Sequence, residues 1–158
     1  MNALEFLNLT IRPALAMMGP KYQGRPVEIL LLAIALQESA LRHRKQVGGP
    51  ARGFWQFERG GVAGVSRHGA SSAKFKDACT AFLYPPTVDD VYGVIADNDA
   101  LACVVARLLL YTHAKAIPET GPEGWAYYEW LWRPGKPHPE TWAKNWAAAV
   151  DAVSTVGA

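Results

Sequence analysis

Arg25-Pro26-Val27-Glu28-Ile29-Leu30-Leu31-Leu32-Ala33-Ile34-Ala35-Leu36-Gln37-Glu38-Ser39-Ala40 is the stretch that decides how this chain is read. Pro26 suits the first position of a helix, and Glu28 complements the positive end of its dipole. From Ile29 to Leu36 no residue is charged, so apolar side chains cover every face and the helix is expected at the centre of the fold. Glu38 falls in phase with Leu30, Leu31, Ile34 and Leu41, on the side that should pack hardest. Burial and the negative end of the helix dipole both push a carboxyl pKa upward. An acid still protonated near neutrality is a proton donor. The plainer alternative is that Glu38 pairs with Arg42, four residues on, as a surface ion pair.

Downstream, Val47-Gly48-Gly49-Pro50-Ala51-Arg52-Gly53 carries turn chemistry, and Gly53-Phe54-Trp55-Gln56 follows it. The pair Glu38-Ser39-Ala40 and Gly53-Phe54-Trp55-Gln56 resembles the Glu-Ser and Gly-Leu-Met-Gln motifs of lytic transglycosylases in the lysozyme-like superfamily. The interval of eighteen positions from Glu38 to Gln56 is similar to that family's spacing, and the match covers roughly residues 26 to 60. The resemblance implies a mostly α, lysozyme-like single domain over 1–158, with a small loop or β-hairpin around residues 45–57. It implies Glu38 as the catalytic acid/base, Ser39 beside it and helping to orient it, and Gln56 in contact with substrate. The substrate class it implies is peptidoglycan, cleaved between N-acetylmuramic acid and N-acetylglucosamine.

The family's Tyr-Asn-Ala-Gly signature is missing. Tyr111-Thr112-His113-Ala114 ends the appropriate sort of helix but lacks the Asn and Gly. Trp125-Ala126-Tyr127-Tyr128-Glu129-Trp130-Leu131-Trp132-Arg133-Pro134-Gly135-Lys136-Pro137 stands instead, and it resembles an aromatic segment of small phage-encoded lysozyme-like proteins. The tyrosine contact is therefore open among Tyr111, Tyr127 and Tyr128. Five of the six tryptophans fall between residues 125 and 146. Flat aromatic faces stack on sugar rings. Trp125, Trp142 and Trp146, at helical spacing, read as core. Trp130, Trp132 and Tyr128 are expected at the cleft, with Trp55 beside Gln56.

A glycosidase using two carboxyls needs them about 5–5.5 Å apart to retain and 6.5–9.5 Å apart to invert. No Asp or Glu lies between Glu38 and Gln56, and Glu58 is the nearest later one. A single acid fits the transglycosylase route. Glu58 facing Glu38 across the cleft would instead allow hydrolysis.

Composition describes an ordinary globular chain, 50 % hydrophobic with a net charge of +2. Arg42, Arg44, Lys45, Arg52, Arg59 and Arg67 face one acid, Glu58, over the same stretch. The patch suits an anionic glycan, or else offsets a helix C-terminus. No nucleic-acid motif accompanies it. Cys79 and Cys103 read as buried free thiols, and the four histidines lack ligand spacing, so neither metal nor cofactor is expected. Gly60-Gly61-Val62-Ala63-Gly64 has no preceding strand or Lys-Ser/Thr and is no phosphate loop.

Met1 to Met18 reads as an amphipathic first helix, with Leu4, Phe6, Leu7, Ile11 and Leu15 inward, rather than a signal peptide. No stretch is long enough to span a bilayer. The expectation is synthesis in the cytoplasm and action in the periplasm or cell wall, after delivery by a phage virion or a holin, with tail proteins as further partners. The rival expectation is a lysozyme-like structural or adaptor protein of a virion that has lost the chemistry. Further helices are expected from a Ser71 or Ser72 cap to Phe82, from a Thr87 cap, and from Asp97 or Asn98 to near Ala116. Two more are expected from Glu123 to Trp132 and from Thr141 to about Val153.

Overall fold

A computed structural model describes residues 1–155 and is mostly α-helical, as expected. Asn2 opens the first helix with a capping box: its side chain accepts from the Glu5 amide, and Glu5 accepts from the Asn2 amide. α1 (Ala3–Phe6) runs without a break through a π-helical stretch, Leu7–Ile11, into α2 (Arg12–Met18). Pro13 explains the widening, because it has no amide hydrogen and its ring crowds the carbonyl four residues back. Phe6, Leu7, Ile11 and Leu15 are all buried, while Leu4 packs at the edge of the core.

α3 (Arg25–Ser39) is the central rod, with every residue from Ile29 to Ala35 buried. It packs against α9 (Trp142–Ser154), the π-helical stretch and α7 (Asp99–Tyr111). Pro26 sits in its first turn, one place later than expected. Residues 45–57 form the expected miniature hairpin, in which Arg52 bridges to both Lys45 and Phe57. Gly53, at φ +76°, is required there: a Cβ on it would lie 3.3 Å from the Ile95 carbonyl oxygen.

α4 (Arg59–Arg67) was not expected, since glycine at three of nine positions weakens a helix. Burial of Val62, Ala63 and Val65 supports it, and Gly61 leaves room for the Phe57 ring. α5 spans Ser72–Ala81. Ser71 precedes it without capping it, because its hydroxyl donates to the Val65 carbonyl at 2.7 Å and ties α5 to α4. Thr87 caps α6 (Val88–Val94) and Asn98 caps α7, both as expected. α7 ends at Tyr111 rather than near Ala116. The Thr112 hydroxyl donates to the Leu109 carbonyl, and the Tyr127 hydroxyl meets the Leu110 and Lys115 carbonyls at 3.0 and 3.2 Å.

α8 (Gly121–Trp132) crosses α9 where Gly121 and Gly124 leave a notch filled by Trp146; a Cβ on Gly124 would come within 2.6 Å of that ring. Among the described residues no helix is long and apolar enough to cross a membrane. Cys79 and Cys103 are free and fully buried, and burial pushes both thiols above their ordinary pKa.

Candidate active site

Glu38 occupies the last turn of α3, and the chain turns away sharply just beyond it. Ala40 and Leu41 both adopt the left-handed conformation, at φ +51° and +55°, which is costly for residues with a Cβ. The turn is held by Ser39, whose hydroxyl donates to the Ala35 carbonyl at 2.9 Å and accepts from the Leu41 amide at 3.2 Å. Ser39 thus lines the groove with its hydroxyl spent on the helix end and not on Glu38. Leu41 is buried, so the core holds the strained turn in place.

The carboxyl of Glu38 is partly buried, and among the described residues it joins no ion pair. The expected alternative partner, Arg42, is exposed. Instead Glu38 Oε1 accepts from the Tyr128 hydroxyl at 2.6 Å. Two effects oppose each other. Burial raises the Glu38 pKa and is the larger; the phenol's hydrogen bond lowers it, and the net direction is upward. The Tyr128 hydroxyl is pushed up as well, by burial first and then by the Glu38 charge, so it stays a donor.

Tyr128 is 2 % exposed and locked among aromatic rings. It stacks on Trp142 at 5.4 Å with 8° between planes, and it meets Trp125 at 5.4 Å and Trp132 at 6.1 Å. Of the three tyrosines left open, Tyr128 therefore reaches the acid, but as a group that positions it from behind rather than as a substrate contact. Tyr127 is committed to the Leu110 carbonyl in the last turn of α7 and to the Lys115 carbonyl beyond it. Tyr111, also expected as a candidate, packs on Tyr22 at 5.3 Å and does not line the groove.

Two tryptophans also depart from expectation. Trp55 is fully buried; its indole N–H donates to the Leu31 carbonyl at 2.9 Å, which fixes the hairpin to the centre of α3. Trp132 donates to the Trp55 carbonyl at 2.9 Å and tilts against Phe57 at 5.7 Å. It borders a second depression of about 520 Å³, shared with Gly60, Gly64, Trp130 and Arg133, instead of the groove at Glu38. Trp130, 65 % exposed, lies on that second surface too. Trp142 is core as expected, with Trp125 and Trp146 packed at its edge.

The groove at Glu38 has a volume of about 550 Å³. Gln56, expected there, does line it, and its side-chain amide donates to the Gly53 carbonyl at 2.9 Å. The facing wall comes from residues the sequence did not single out: His138, Thr141, Lys144 and Asn145, joined by His43 and Gln46. Thr141, Lys144 and Asn145 recur at helical spacing, a pattern indistinguishable in sequence from any solvent-facing stripe. Gln37 fastens this wall. Its amide donates to the Pro137 and His138 carbonyls, both at 3.0 Å, and accepts from Thr141 at 3.0 Å and Asn145 at 2.8 Å.

Among the described residues Glu38 is the sole carboxyl lining the groove. Glu58 is exposed, stands at the N-terminus of α4 and does not reach it. Half of the anticipated basic patch is occupied elsewhere. Arg44 makes a two-point pair with Asp99, Arg59 pairs with Asp89, and Arg52 lies over the Tyr92 ring. Lys144 is the one lysine or arginine lining the groove among the described residues. No group of three or more His, Cys, Asp or Glu able to hold a metal occurs among the described residues. No family model, no curated protein and no solved structure matches this chain.

Proposed function

We propose that this protein cleaves the β-1,4 bond between N-acetylmuramic acid and N-acetylglucosamine in peptidoglycan, as a lytic transglycosylase rather than a hydrolase, with Glu38 as general acid and base. The observation that carries this reading is a lone carboxyl of raised pKa in an open groove, held by a buried phenol. Because Tyr128 donates to Oε1, the acid's proton belongs on Oε2. That proton passes to the glycosidic oxygen as the bond to the muramyl anomeric carbon breaks, and the substrate's own N-acetyl oxygen closes on that carbon. The Glu38 carboxylate, stabilised by Tyr128, then takes the proton of the muramyl 6-hydroxyl. The freed oxygen attacks the anomeric carbon, displaces the N-acetyl oxygen and gives a 1,6-anhydro product. Among the described residues no second carboxyl lines the groove to activate a water, which favours this route over hydrolysis.

Lys144 gives the groove a cation for the lactyl and stem-peptide carboxylates. Action in the periplasm or cell wall, after delivery by a phage virion or a holin, belongs to the same reading. A second reading has one observation in its favour. Tyr128 is packed inward and Trp132 is tied to the hairpin, as a lysozyme-like adaptor without chemistry would have them.

Digestion of peptidoglycan by the purified protein and by Glu38→Gln, with fragments read by mass spectrometry, separates the readings. Anhydro-muropeptides from the parent alone are the expected result. Reducing-end fragments would convert the reading to hydrolysis. A well-folded parent that releases nothing would leave the adaptor.

A further inference from the structure

Arg107, in the middle of α7, is 5 % exposed and is the one charged residue in the buried core among the described residues. A guanidinium taken out of water is costly unless a carboxylate or another anion faces it. Among the described residues none does. The ion pairs among the described residues join Arg12 to Glu28, Arg44 to Asp99, Arg59 to Asp89 and His138 to Glu140. Arg107 Nε donates to the Tyr22 carbonyl at 2.9 Å, and its Nη1 is buried with no acceptor among the described residues.

Two more cations gather at the same place. Lys21 Nζ lies 4.9 Å from the centre of the Tyr111 ring and 5.7 Å from that of Tyr22. Lys74 Nζ lies 5.3 Å from the Tyr22 ring, while the Arg107 guanidinium is 5.5 Å from Tyr22 and 5.8 Å from Tyr111. Three positive side chains, from the turn after α2, from α5 and from α7, therefore gather at Tyr22, two of them also at Tyr111, and none is paired with an acid among the described residues. Lys21 is exposed and Lys74 half-exposed, so both stand outward of the buried Arg107. Ring faces attract cations but accept no conventional hydrogen bond from Nη1.

The geometry points to a binding site for a phosphoryl group, entering between Lys21 and Lys74 and seated on Nη1 of Arg107. A tetrahedral dianion suits this set, since it offers several acceptor oxygens to the guanidinium while the two ammonium groups neutralise it as point charges. Lys21 and Lys74 are flexible enough to swing aside and return over the bound anion. The site lies at the opposite end of α3 from Glu38, about 20 Å along the helix axis. It is independent of the proposed cleavage, and either can fail without the other.

The test is titration of the full chain with inorganic phosphate at fixed ionic strength, followed by calorimetry and by Tm, with chloride as control. The expected result is saturable binding and a rise in Tm specific to phosphate. The double variant Lys21→Ala/Lys74→Ala, which trims only outward side chains, should bind about tenfold more weakly or worse while keeping the parent's circular dichroism. Absence of saturable phosphate binding, or equal affinity in the double variant, overturns the site. Vesicles of phosphatidylglycerol, compared with phosphatidylcholine, identify the source. Vesicle binding that phosphate displaces and the double variant lacks supports the site with a lipid headgroup as its ligand. Phosphate binding without vesicle binding supports it with a soluble phosphoryl compound.

Discussion

Tyr128 and Glu38, ninety positions apart in the chain, meet through one 2.6 Å hydrogen bond from the phenol to Oε1 of the carboxyl. That bond favours the ionised acid, whereas burial favours the protonated one, and burial is the stronger of the two. Tyr128→Phe removes only the opposing effect, so the Glu38 pKa must rise further. Activity that needs a protonated Glu38 is lost as pH rises through that pKa. The alkaline limb of the pH–rate profile for peptidoglycan cleavage is therefore expected to move to higher pH. The carboxylate formed on proton donation loses a charge-assisted bond, so kcat should fall about tenfold to a hundredfold. A profile left in place would mean that the bond does not tune the acid.

Glu38→Gln keeps an oxygen to accept from Tyr128 and removes the ionisable group. A raised folded-state pKa means the native state holds its proton more tightly than the unfolded chain does. The stability this gives is fully present below the ordinary carboxyl pKa and is lost as pH rises through the raised one. The variant should thus gain in Tm over the parent at pH 8, and the gain should shrink toward pH 4. A gain of ~2–4 °C at pH 8 matches the roughly 1 kcal/mol commonly recovered by relieving a functional site in a domain of this size. Thermal denaturation across that range checks it, and a pH-independent difference would count against a desolvated acid.

Gly64 of α4 and Gly124 of α8 should respond to alanine with opposite signs. Gly64 has nothing within 4 Å of the place its Cβ would take, so Gly64→Ala collects the helix propensity of alanine, about 0.5–1 kcal/mol. Gly124→Ala drives a methyl to within 2.6 Å of the Trp146 ring at the α8–α9 crossing, and overpacking of this kind costs about 1–3 kcal/mol. Denaturant midpoints should rise for the first and fall for the second. A rise for both would show that Trp146 moves freely in its notch.

What the sequence made legible was whatever periodicity and capping encode locally. α3 could be read from Ile29 to Leu36 because no other arrangement buries so unbroken an apolar run, and Glu38 followed from its phase. Thr87 and Asn98 announced their helices by side-chain chemistry. α4 stayed hidden because its glycines oppose helix formation and only the Val62, Ala63 and Val65 contacts with the rest of the core reverse that. Trp55 was misplaced for a related reason. Its neighbour Gln56 faces the groove, but the indole finds a carbonyl inside α3, and no local rule forecasts a partner 24 residues away. The groove's far wall, on α9 and the turn before it, was legible only as an ordinary polar stripe.

Gln37 gives the last expectation, because its amide is used to capacity. Two donors go to the Pro137 and His138 carbonyls, and two acceptor sites serve Thr141 and Asn145. The segment it holds has little else to fix it: Arg133 and His138 both lie in the left-handed region, and no regular helix resumes until Pro139. Gln37→Leu fits the space but leaves all four partners to water. They are near the surface and can be rehydrated, so the net loss should be about 1–2 kcal/mol, not the sum of four buried bonds. The functional consequence should be confined to binding. His138, Thr141 and Asn145 form the groove wall, whereas the Glu38–Tyr128 pair is anchored separately by the aromatic stack. KM for peptidoglycan fragments should therefore rise while kcat stays near the parent's, and hydrogen exchange should quicken over residues 134–141. A fall in kcat at unchanged KM would instead place Gln37 in the chemistry beside Glu38.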